Sequence, residues 1–424
     1  MSCTVHETSA DPRVSPDVAT LDARYVLPTY ARNPLELVSG AGAEVVGADG
    51  VQYLDFVTGL SVSNFGHCHP HIVAAIQTQA STLIHCSNLY VTRPQAELAS
   101  RLSAMANGGR VFFANSGAEA NEVAIKVAKK RSGAAAEGGA SAVIVTLDRS
   151  FHGRTMATLS ATGQPEKQAP FAPVLGGFVH VAVGDQAALE AVFRRQKVAA
   201  VLMEPVLGES GVVLVREGFL KAAQALCEEH DALFMLDEVQ TGLGRCGAPF
   251  AYQRFGLSPD VVTVAKTLAG GLPMGAAIVG GRAENVLVAG DHGSTFGGGP
   301  VVAAAANAVL DLVEGDGLFH RVEEAGARLE GWLTPLVERG MACEVRRLGL
   351  MAAVDLVRVS AKQVVLDALE ARILLNATSD VTLRFLPPLN VSDEQIDRVG
   401  SFLAARLSAE PPEKGLGPRK GLDE

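Results

Sequence analysis

Between residues 108 and 300, short runs of continuously apolar residues alternate with longer segments of helical periodicity. Such runs are typical of strands buried on both faces, as in a mainly parallel sheet that helices cover. The segment 219–230 has apolar residues at helical spacing and fits a helix that crosses over between two strands. The predicted strands are 110–115, 142–147, 178–183, 199–204, 232–237, 261–265 and 276–280. The pattern therefore predicts an α/β fold whose large domain has a mostly parallel seven-stranded sheet flanked by helices.

The pattern changes after about residue 300. Two long helical segments, 301–314 and 320–338, precede strand-like segments and a final helix that starts at Ser392, with Gln395 at the position of a capping box. This part predicts a smaller α+β domain. Two short strands around Asp49-Gly50, near the N-terminus, are predicted to join that domain.

These changes in the sequence pattern predict the domain organisation. Both ends of the chain are rich in proline, glycine and charge, which indicates mobile tails. We predict a tail at 1–20, an N-terminal segment of the small domain at 21–70, a large domain at 71–300, the C-terminal part of the small domain at 301–408 and a tail at 409–424.

Composition narrows the class of protein. Of the 424 residues, 48% are hydrophobic, enough for a sizeable core, and the formal net charge of −10 argues against nucleic acid or an anionic membrane as a partner. Six cysteines without paired spacing indicate reduced thiols rather than a disulfide framework. With no signal peptide and no run that could span a bilayer in the sequence, we expect a cytoplasmic protein.

The first candidate site follows the strand 110–115. Ser116 can cap the next helix, and Glu119 stands where a capping box needs an acidic side chain. The helix begins at the small residues Ser116, Gly117 and Ala118, so its free N–H groups could bind an anion, typically a phosphate. The alternative is an ordinary capped helix that binds no anion. Taken alone, this sequence pattern marks such a helix more often than it marks a phosphate site.

Two further strand ends carry charged residues. Asp237 and Glu238 end one buried strand, and Lys266 follows another in the apolar stretch VVTVAKTLAGGLPMG. Alone, Lys266 could extend its ammonium to water, but a buried lysine instead has a lowered pKa and becomes a nucleophile. Ligands of such sheets bind at the carboxyl ends of the strands. An anion site, a carboxylate and a desolvated lysine together fit pyridoxal 5′-phosphate (PLP), which has a phosphate, a basic ring nitrogen and an aldehyde.

The motifs SGAEANE, FHGR, LDEVQTGLGR, AKTLAGGLPMG and HGSTFGGGP, in this order, resemble those of the class III aminotransferases. The resemblance continues through PTYARNP, GVQYLDFVTGLSVSNFGHCHP, SNLYVTRPQAELA and LRFLPPLNVS, and covers about residues 25–408. It implies the fold type I of PLP enzymes, and an activity that transfers an amine to 2-oxoglutarate in two separate half-reactions.

The resemblance also implies roles for the residues that would hold the cofactor. Lys266 would form the Schiff base and move the proton, and Asp237 would hold the proton of the ring nitrogen. Glu122 would support the site without contacting the cofactor. The remaining cofactor contacts implied are Ser116, Gly117 and Ala118 at the phosphate, Phe151 and Val239 on the two ring faces, Gln240 near the ring hydroxyl, and Thr295 from a neighbouring subunit. The active unit would therefore be a homodimer with its active sites at the subunit interface.

Carboxylate substrates require cations, and the resemblance implies two arginines. Arg154 would bind the carboxylate remote from the reacting amine, with Tyr30 beside it. Arg384 would bind the α-carboxylate of 2-oxoglutarate and otherwise pair with Glu209. Arginine suits both tasks because its planar fork binds a carboxylate through two parallel hydrogen bonds.

The segments SNLY, PQAELA, RILLN and LRFLPPLNVS, together with Leu60, favour the acetylornithine branch of the family, and N2-acetyl-L-ornithine as the amine donor. Ornithine, succinylornithine, 4-aminobutyrate and β-alanine remain alternatives, as do a PLP aminomutase and a homologue without activity. Three residues depart from the family pattern, namely Leu207, Ser210 and Gly299. They concern which substrate is bound, and they leave the expected roles of Lys266 and Asp237 unchanged.

The histidine-rich stretch GHCHPH at 66–71 raises the alternative of a zinc site. Its spacing matches neither CxxC nor HExxH, and Pro70 interrupts any helix that could align His67 with His71. In the family it resembles, this motif is structural. We therefore expect no metal there.

Overall fold

The computed structural model describes residues 17–133 and 142–409. Most of both predicted tails, 1–16 and 410–424, lies outside the described residues. Residues 18–20 of the predicted N-terminal tail belong to helix α1 (Val18–Tyr25), whose first turn is capped by Asp17 through a hydrogen bond from the N–H of Thr20 at 2.8 Å.

Strands and helices follow one another along the described parts of the chain. The strands are β1 (Leu37–Ala41), β2 (Glu44–Gly47), β3 (Gln52–Asp55), β4 (Arg110–Ala114), β5 (Val143–Leu147), β6 (Phe178–Val181), β7 (Val198–Met203), β8 (Val206–Leu207), β9 (Val213–Leu214), β10 (Leu233–Asp237), β11 (Val261–Val264), β12 (Gly275–Val279), β13 (Ala342–Leu348), β14 (Met351–Leu356), β15 (Ile373–Leu374), β16 (Asn376–Ala377) and β17 (Thr382–Phe385). The helices after α1 are α2 (Thr58–Ser61), α3 (Pro70–Thr82), α4 (Arg93–Met105), α5 (Gly117–Arg131), α6 (Met156–Ala161), α7 (Pro165–Gln168), α8 (Gln186–Arg195), α9 (Glu217–Glu229), α10 (Pro300–Val313), α11 (Leu318–Glu338), α12 (Ala361–Glu370) and α13 (Asp393–Ser408).

The predicted seven-stranded sheet is confirmed within the described part of the chain, in the order β4-β12-β11-β10-β7-β5-β6. Pairing is parallel from β11 through β10, β7 and β5 to β6, whereas β12 runs antiparallel to both of its neighbours. Every residue of β5, β7 and β10 is buried. This burial on both faces explains why these strands appear in the sequence as continuous apolar runs.

Two smaller sheets contain strands from the ends of the chain. One has the order β13-β14-β17-β16, and the other has the order β1-β2-β3-β15. In the second, β15 pairs in parallel with β3, with Ile373 opposite Leu54. This pairing supports the predicted association of the N-terminal segment with the C-terminal part, while the domain boundaries stay a prediction.

The final helix confirms the capping pattern predicted from the sequence. Ser392 accepts a hydrogen bond from the N–H of Gln395, and Gln395 accepts one in return from the N–H of Ser392. Across the ranges that the structure describes, no helix is both long and apolar enough to span a membrane.

Candidate active site

Three neighbouring strands of the large sheet place charged residues at the same edge. Asp237 is the last residue of β10, Glu204 follows β7 directly, and Lys266 comes two residues after β11. Because β7, β10 and β11 are adjacent and parallel, their carboxyl ends lie side by side. This is the edge at which open α/β sheets bind ligands.

The carboxylate of Asp237 is buried and receives hydrogen bonds from three directions. Its Oδ2 accepts from Nδ2 of Asn121 at 2.7 Å and lies 2.9 Å from Nδ1 of His152. Its Oδ1 accepts from the N–H of Val239 at 3.0 Å. The carboxylate is therefore held in one orientation at the strand end.

Asn121 and His152 are functional candidates that sequence reasoning missed. Asn121 lies on α5, and its amide also donates to the carbonyl of His152 at 2.9 Å and accepts from the hydroxyl of Thr263 at 2.7 Å. His152 follows Phe151 in the motif FHGR, and its position there was the available signal. Within the described residues, Nε2 of His152 is buried and has no hydrogen-bond partner.

Lys266 occupies a strained backbone position at the start of a short 3-10 turn. Its φ of 45° lies in the left-handed region, which is uncommon for a residue with a side chain. Burial lowers the pKa of the Lys266 amine, and the charge of Arg384 acts in the same direction against the opposing carboxylates of Glu209, Asp237 and Glu204. The neutral amine is the form that attacks an aldehyde, and a lowered pKa favours that form.

The anion site predicted from the sequence would lie at the start of α5. Ser116 caps the helix by accepting a hydrogen bond from the N–H of Glu119 at 3.2 Å. The reciprocal half of the predicted capping box is wrong, because the carboxylate of Glu119 accepts instead from the N–H of Asn115, at 2.7 Å, and from its side-chain amide. A Cβ on Gly117 would lie 2.8 Å from a methyl carbon of Val239, so only glycine fits this close approach.

Arg384 and Glu209 form an ion pair on the other side of the site. Nη1 of Arg384 lies 2.9 Å from Oε1 of Glu209 and also donates to the carbonyl of Gly208 at 2.9 Å and to Oε1 of Gln240 at 3.3 Å. Burial alone would raise the pKa of Glu209, but the charges of Arg384 and Lys266 outweigh it and lower that pKa to about 2. The pair is therefore charged at neutral pH.

Glu204 connects the two sides of the site. It accepts hydrogen bonds from the N–H of Phe151 at 2.8 Å and from the N–H of Gly208 at 3.3 Å. Burial raises the pKa of Glu204 to about 7, and the nearby charge of Asp237 adds to this shift. Glu204 thus holds together the backbone segments that carry Phe151 and Glu209.

Two cations lie over the ring of Phe151. The guanidinium carbon of Arg154 is 5.5 Å from the ring centroid, and Nζ of Lys167 is 5.0 Å from it. Arg154 is exposed to solvent, whereas Lys167 is half-buried. Burial lowers the pKa of Lys167. Sequence reasoning selected Arg154 and missed Lys167, which has no motif of its own.

Some predicted site residues are not brought into this cluster. Tyr30 is 74% exposed and contacts Arg32, whose guanidinium carbon lies 6.0 Å from its ring centroid. Thr295 is exposed in the loop before α10. Glu122 accepts a hydrogen bond from the hydroxyl of Thr155 at 2.5 Å, and Thr155 directly follows Arg154.

The residues present fit PLP. The start of α5 offers backbone donors for a phosphate, and Gly117 lets the helix start pack closely against Val239. Asp237 is an oriented carboxylate for a ring nitrogen, and Lys266 is an amine whose pKa is lowered. These are the three groups that the cofactor requires.

Two of the three histidines of the GHCHPH stretch contact carboxylates. Nε2 of His67 lies 2.7 Å from Asp55, and Nε2 of His71 lies 2.7 Å from Asp311. Over residues 17–133 and 142–409, no group of three or more His, Cys, Asp or Glu side chains is placed to hold a metal ion.

The family model, the relatives in sequence and the solved structures that resemble this chain are all aminotransferases. The family model for class-III aminotransferases matches residues 27–407. An acetylornithine aminotransferase from Caldanaerobacter subterraneus is 46% identical over 391 residues, which are 92% of this chain and 98% of the relative. The solved ornithine aminotransferase from Toxoplasma gondii has a TM-score of 0.87 and 32% identity, and the match covers 92% of this chain and 95% of that chain. The solved N-acetylornithine aminotransferase from Stenotrophomonas maltophilia has a TM-score of 0.80 and 33% identity over 93% of this chain and 100% of that chain.

Proposed function

The chain belongs to the class-III aminotransferase family, and from this premise we propose that it moves the terminal amine of N2-acetyl-L-ornithine to 2-oxoglutarate. The products would be N-acetylglutamate 5-semialdehyde and glutamate, a step of arginine biosynthesis. As a member of this family the chain is a PLP-dependent aminotransferase. The choice of donor and the roles of individual residues are the proposal.

When bound, PLP supplies an electron sink that stabilises negative charge on the substrate carbon. In the proposed cycle, Lys266 would be the residue that binds the aldehyde group of the cofactor, and its Nζ would take the proton of the substrate carbon and return it. Its lowered pKa supports this role, because a base must be deprotonated to accept that proton. The positive φ of Lys266 sets the direction in which the side chain leaves the backbone.

Asp237 would keep the proton on the ring nitrogen of the cofactor. Asn121 and His152 both contact Oδ2 and orient the carboxylate, while the N–H of Val239 holds Oδ1. An oriented, buried carboxylate stabilises a nearby positive charge more strongly than a solvated one does. This supports a role for Asp237 in turnover as well as in binding.

The ion pair of Arg384 with Glu209 is the observation that carries the proposal. A donor such as N2-acetyl-L-ornithine has no carboxylate next to its reacting amine, so the pair can stay closed during the first half-reaction. In contrast, 2-oxoglutarate has a carboxylate next to its reacting carbonyl, and Arg384 can bind it only when Glu209 moves aside. One site can thus accept two unlike substrates in turn.

The remote carboxylate of either substrate would bind Arg154. This side chain is exposed and lies over the ring of Phe151, at the outer side of the proposed cofactor site. Lys167 lies over the same ring and adds a second positive charge. Tyr30 would have to approach this site when substrate or a second subunit is present, because it is exposed in the single chain.

We also propose a homodimer in which Thr295 reaches the cofactor phosphate of the neighbouring subunit. The segment 83–91 exposes Leu83, Ile84, Leu89, Tyr90 and Val91, and Phe296 is exposed beside Thr295. The two segments touch, because Asn88 donates to the carbonyl of Ser294 at 2.9 Å. An exposed apolar surface of this kind is typical of a subunit interface.

A cytoplasmic location is part of the same proposal. The five cysteines that the structure describes are all free thiols. Free thiols are typical of a reducing compartment.

Ornithine is the second candidate donor, because a solved ornithine aminotransferase aligns with 92% of the chain. A panel of N2-acetyl-L-ornithine, N2-succinyl-L-ornithine, L-ornithine, 4-aminobutyrate and β-alanine, each with 2-oxoglutarate, tests the proposal. We expect the highest kcat/KM for N2-acetyl-L-ornithine. A higher value for another donor would reassign the substrate, and turnover without any keto acid would indicate an aminomutase.

A further inference from the structure

The sheet register places Asn376 directly opposite Arg384. In the antiparallel pair of β16 and β17, Asn376 is the cross-strand partner of Arg384, and on the other side of β17 the partner is Ala353. Side chains of directly opposed residues share one face of the sheet and lie close together. Asn376 therefore lies beside Arg384 on one side of β17, and Ala353 lies beside it on the other.

Asn376 binds one complete edge of the guanidinium of Arg384. Its Oδ1 accepts from Nε at 3.0 Å and from Nη2 at 2.8 Å. A guanidinium offers two edges at which a carboxylate can form two parallel hydrogen bonds, one at Nε and Nη2 and the other at Nη1 and Nη2. Asn376 occupies the first, so a substrate carboxylate can use only the second.

Glu209 shares that second edge with two neutral oxygens. Nη1 also donates to the carbonyl of Gly208 and to the buried amide of Gln240. The side chain of Glu209 is 28% exposed, whereas that of Arg384 is 2% exposed. Glu209 is therefore the partner that can leave, and the guanidinium stays fixed by Asn376, Gln240 and Gly208 when it does.

We propose that Asn376 is a positioning residue that fixes the guanidinium of Arg384 so that a substrate α-carboxylate binds end-on, in the place that Glu209 leaves. The inference rests on the proposed role of Arg384 in binding 2-oxoglutarate. The amide is suited to this task because it accepts two hydrogen bonds without adding negative charge. An aspartate there would neutralise the guanidinium permanently, and an alanine would leave the first edge open to the substrate.

The test measures the two half-reactions separately in Asn376→Ala and Asn376→Asp. In Asn376→Ala we expect kcat/KM for 2-oxoglutarate to fall about 10- to 100-fold, as expected for lost hydrogen bonds to a charged group. The half-reaction with the amine donor should stay unchanged. Asn376→Asp keeps the acceptor geometry, so it should fold normally, and its added charge should also weaken the reaction with 2-oxoglutarate.

Asn307→Ala is the matched control, because Asn307 on α10 also accepts from an arginine, Arg101, at 3.4 Å and lies outside the site. It should leave both half-reactions unchanged. Equal losses in both half-reactions of Asn376→Ala would indicate a merely structural residue and would overturn the proposal. The absence of any loss in either variant would overturn it as well.

A binding measurement separates this inference from the proposed function. Glutarate has the two carboxylates of 2-oxoglutarate but no carbonyl to react, so its dissociation constant from the cofactor-loaded enzyme reports carboxylate binding alone. We expect weaker glutarate binding in both Asn376 variants than in the wild type and in Asn307→Ala. If the wild type transfers no amine to 2-oxoglutarate, the proposed function fails. If it does, and glutarate binds all four proteins equally, only the role of Asn376 is wrong.

Discussion

Nδ1 of His152 lies 2.9 Å from Oδ2 of Asp237, and both side chains are buried. An ionised carboxylate only accepts hydrogen bonds, so the hydrogen of this contact belongs to Nδ1. Asn121 donates to the same oxygen, which makes His152 one of two side chains that fix the direction of the carboxylate. His152 is therefore placed to act on the proposed cofactor site through Asp237.

Replacing His152 by phenylalanine keeps a ring of similar size and removes the hydrogen bond to Asp237. We expect kcat to fall about 10- to 100-fold, as is common for partners that orient a functional ligand. Cofactor content should stay near that of the wild type, because the other contacts of the site remain. Steady-state kinetics on the loaded enzyme checks this.

His180→Phe provides the control for the loss of a histidine, because Nδ1 of His180 contacts the hydroxyl of Thr146 at 2.7 Å rather than Asp237. It should retain wild-type kcat. Equal effects of the two substitutions would contradict a specific role of His152 in orienting Asp237.

Replacing Glu209 by glutamine removes the charge that competes for Arg384. We expect the half-reaction with 2-oxoglutarate to be maintained or improved, because a buried guanidinium without a counter-charge binds carboxylates more readily. The half-reaction with the amine donor should become slower, and glutamate should become a stronger competitor. The measurement is the ratio of kcat/KM in the two half-reactions, and an unchanged ratio would argue against the exchange of Glu209 for substrate.

The buried carboxyl of Glu238 predicts a dependence of stability on pH. Its oxygens accept from the N–H of Tyr252 at 2.8 Å and of Ala251 at 3.1 Å, and from the hydroxyl of Thr241. Burial raises its pKa from 4.5 to about 7. A raised pKa means that the folded protein binds the proton more tightly, so this contribution to stability is complete below about pH 4.5 and is lost as the pH rises through about 7.

Glu238→Gln removes this titration and imitates the protonated acid. We expect the free energy of unfolding of the wild type relative to the variant to decrease between pH 5 and pH 8, by roughly 2–3 kcal/mol. Denaturant unfolding at fixed protein concentration measures the difference. A difference that is constant with pH, or one that grows, would show that Glu238 is ionised throughout in the folded protein.

How much the sequence predicts depends on how far apart the contacting residues are. The strands of the large sheet could be predicted because burial on both faces leaves a local apolar signal. Asp237 and Lys266 could be predicted because Asp237 ends one such strand and Lys266 comes two residues after another. Local patterns and their order along the chain were sufficient for these features.

Contacts that depend on tertiary structure could not be predicted in this way. Asn121 and His152 reach Asp237 across 116 and 85 residues, and neither contact follows from local spacing. The contact of Asn376 with Arg384 depends on the register of a strand of only two residues. At Glu119 the local pattern was misleading, because the N–H of Asn115 is the donor in place of that of Ser116.

The proposed role of Thr295 in the neighbouring subunit predicts complementation between two inactive variants. Lys266→Ala and Thr295→Asp should each be inactive alone, the second because its charge repels the cofactor phosphate. In a mixed dimer, the site with Lys266 from one chain and Thr295 from the other is intact. Dimers re-formed from an equal mixture should regain about a quarter of wild-type activity, since half of them are mixed and each of these has one intact site.

The controls for complementation are the two variants re-formed separately, which should stay inactive. If Thr295 instead served the cofactor of its own subunit, each site of a mixed dimer would carry one of the two substitutions. No site would then be intact, and no activity would be regained. The absence of any recovered activity in confirmed mixed dimers would therefore contradict the shared site.

The role of Lys266 is tested most directly by locating the cofactor on the chain. Protein loaded with PLP is treated with borohydride, which fixes the link between an amine and the cofactor's aldehyde, and its peptides are then analysed by mass spectrometry. We predict that the added mass of the cofactor lies on the peptide that contains Lys266, and that it is lost in Lys266→Ala. Cofactor fixed to a different lysine in the wild type, or unchanged labelling of the variant, would contradict the proposed active site.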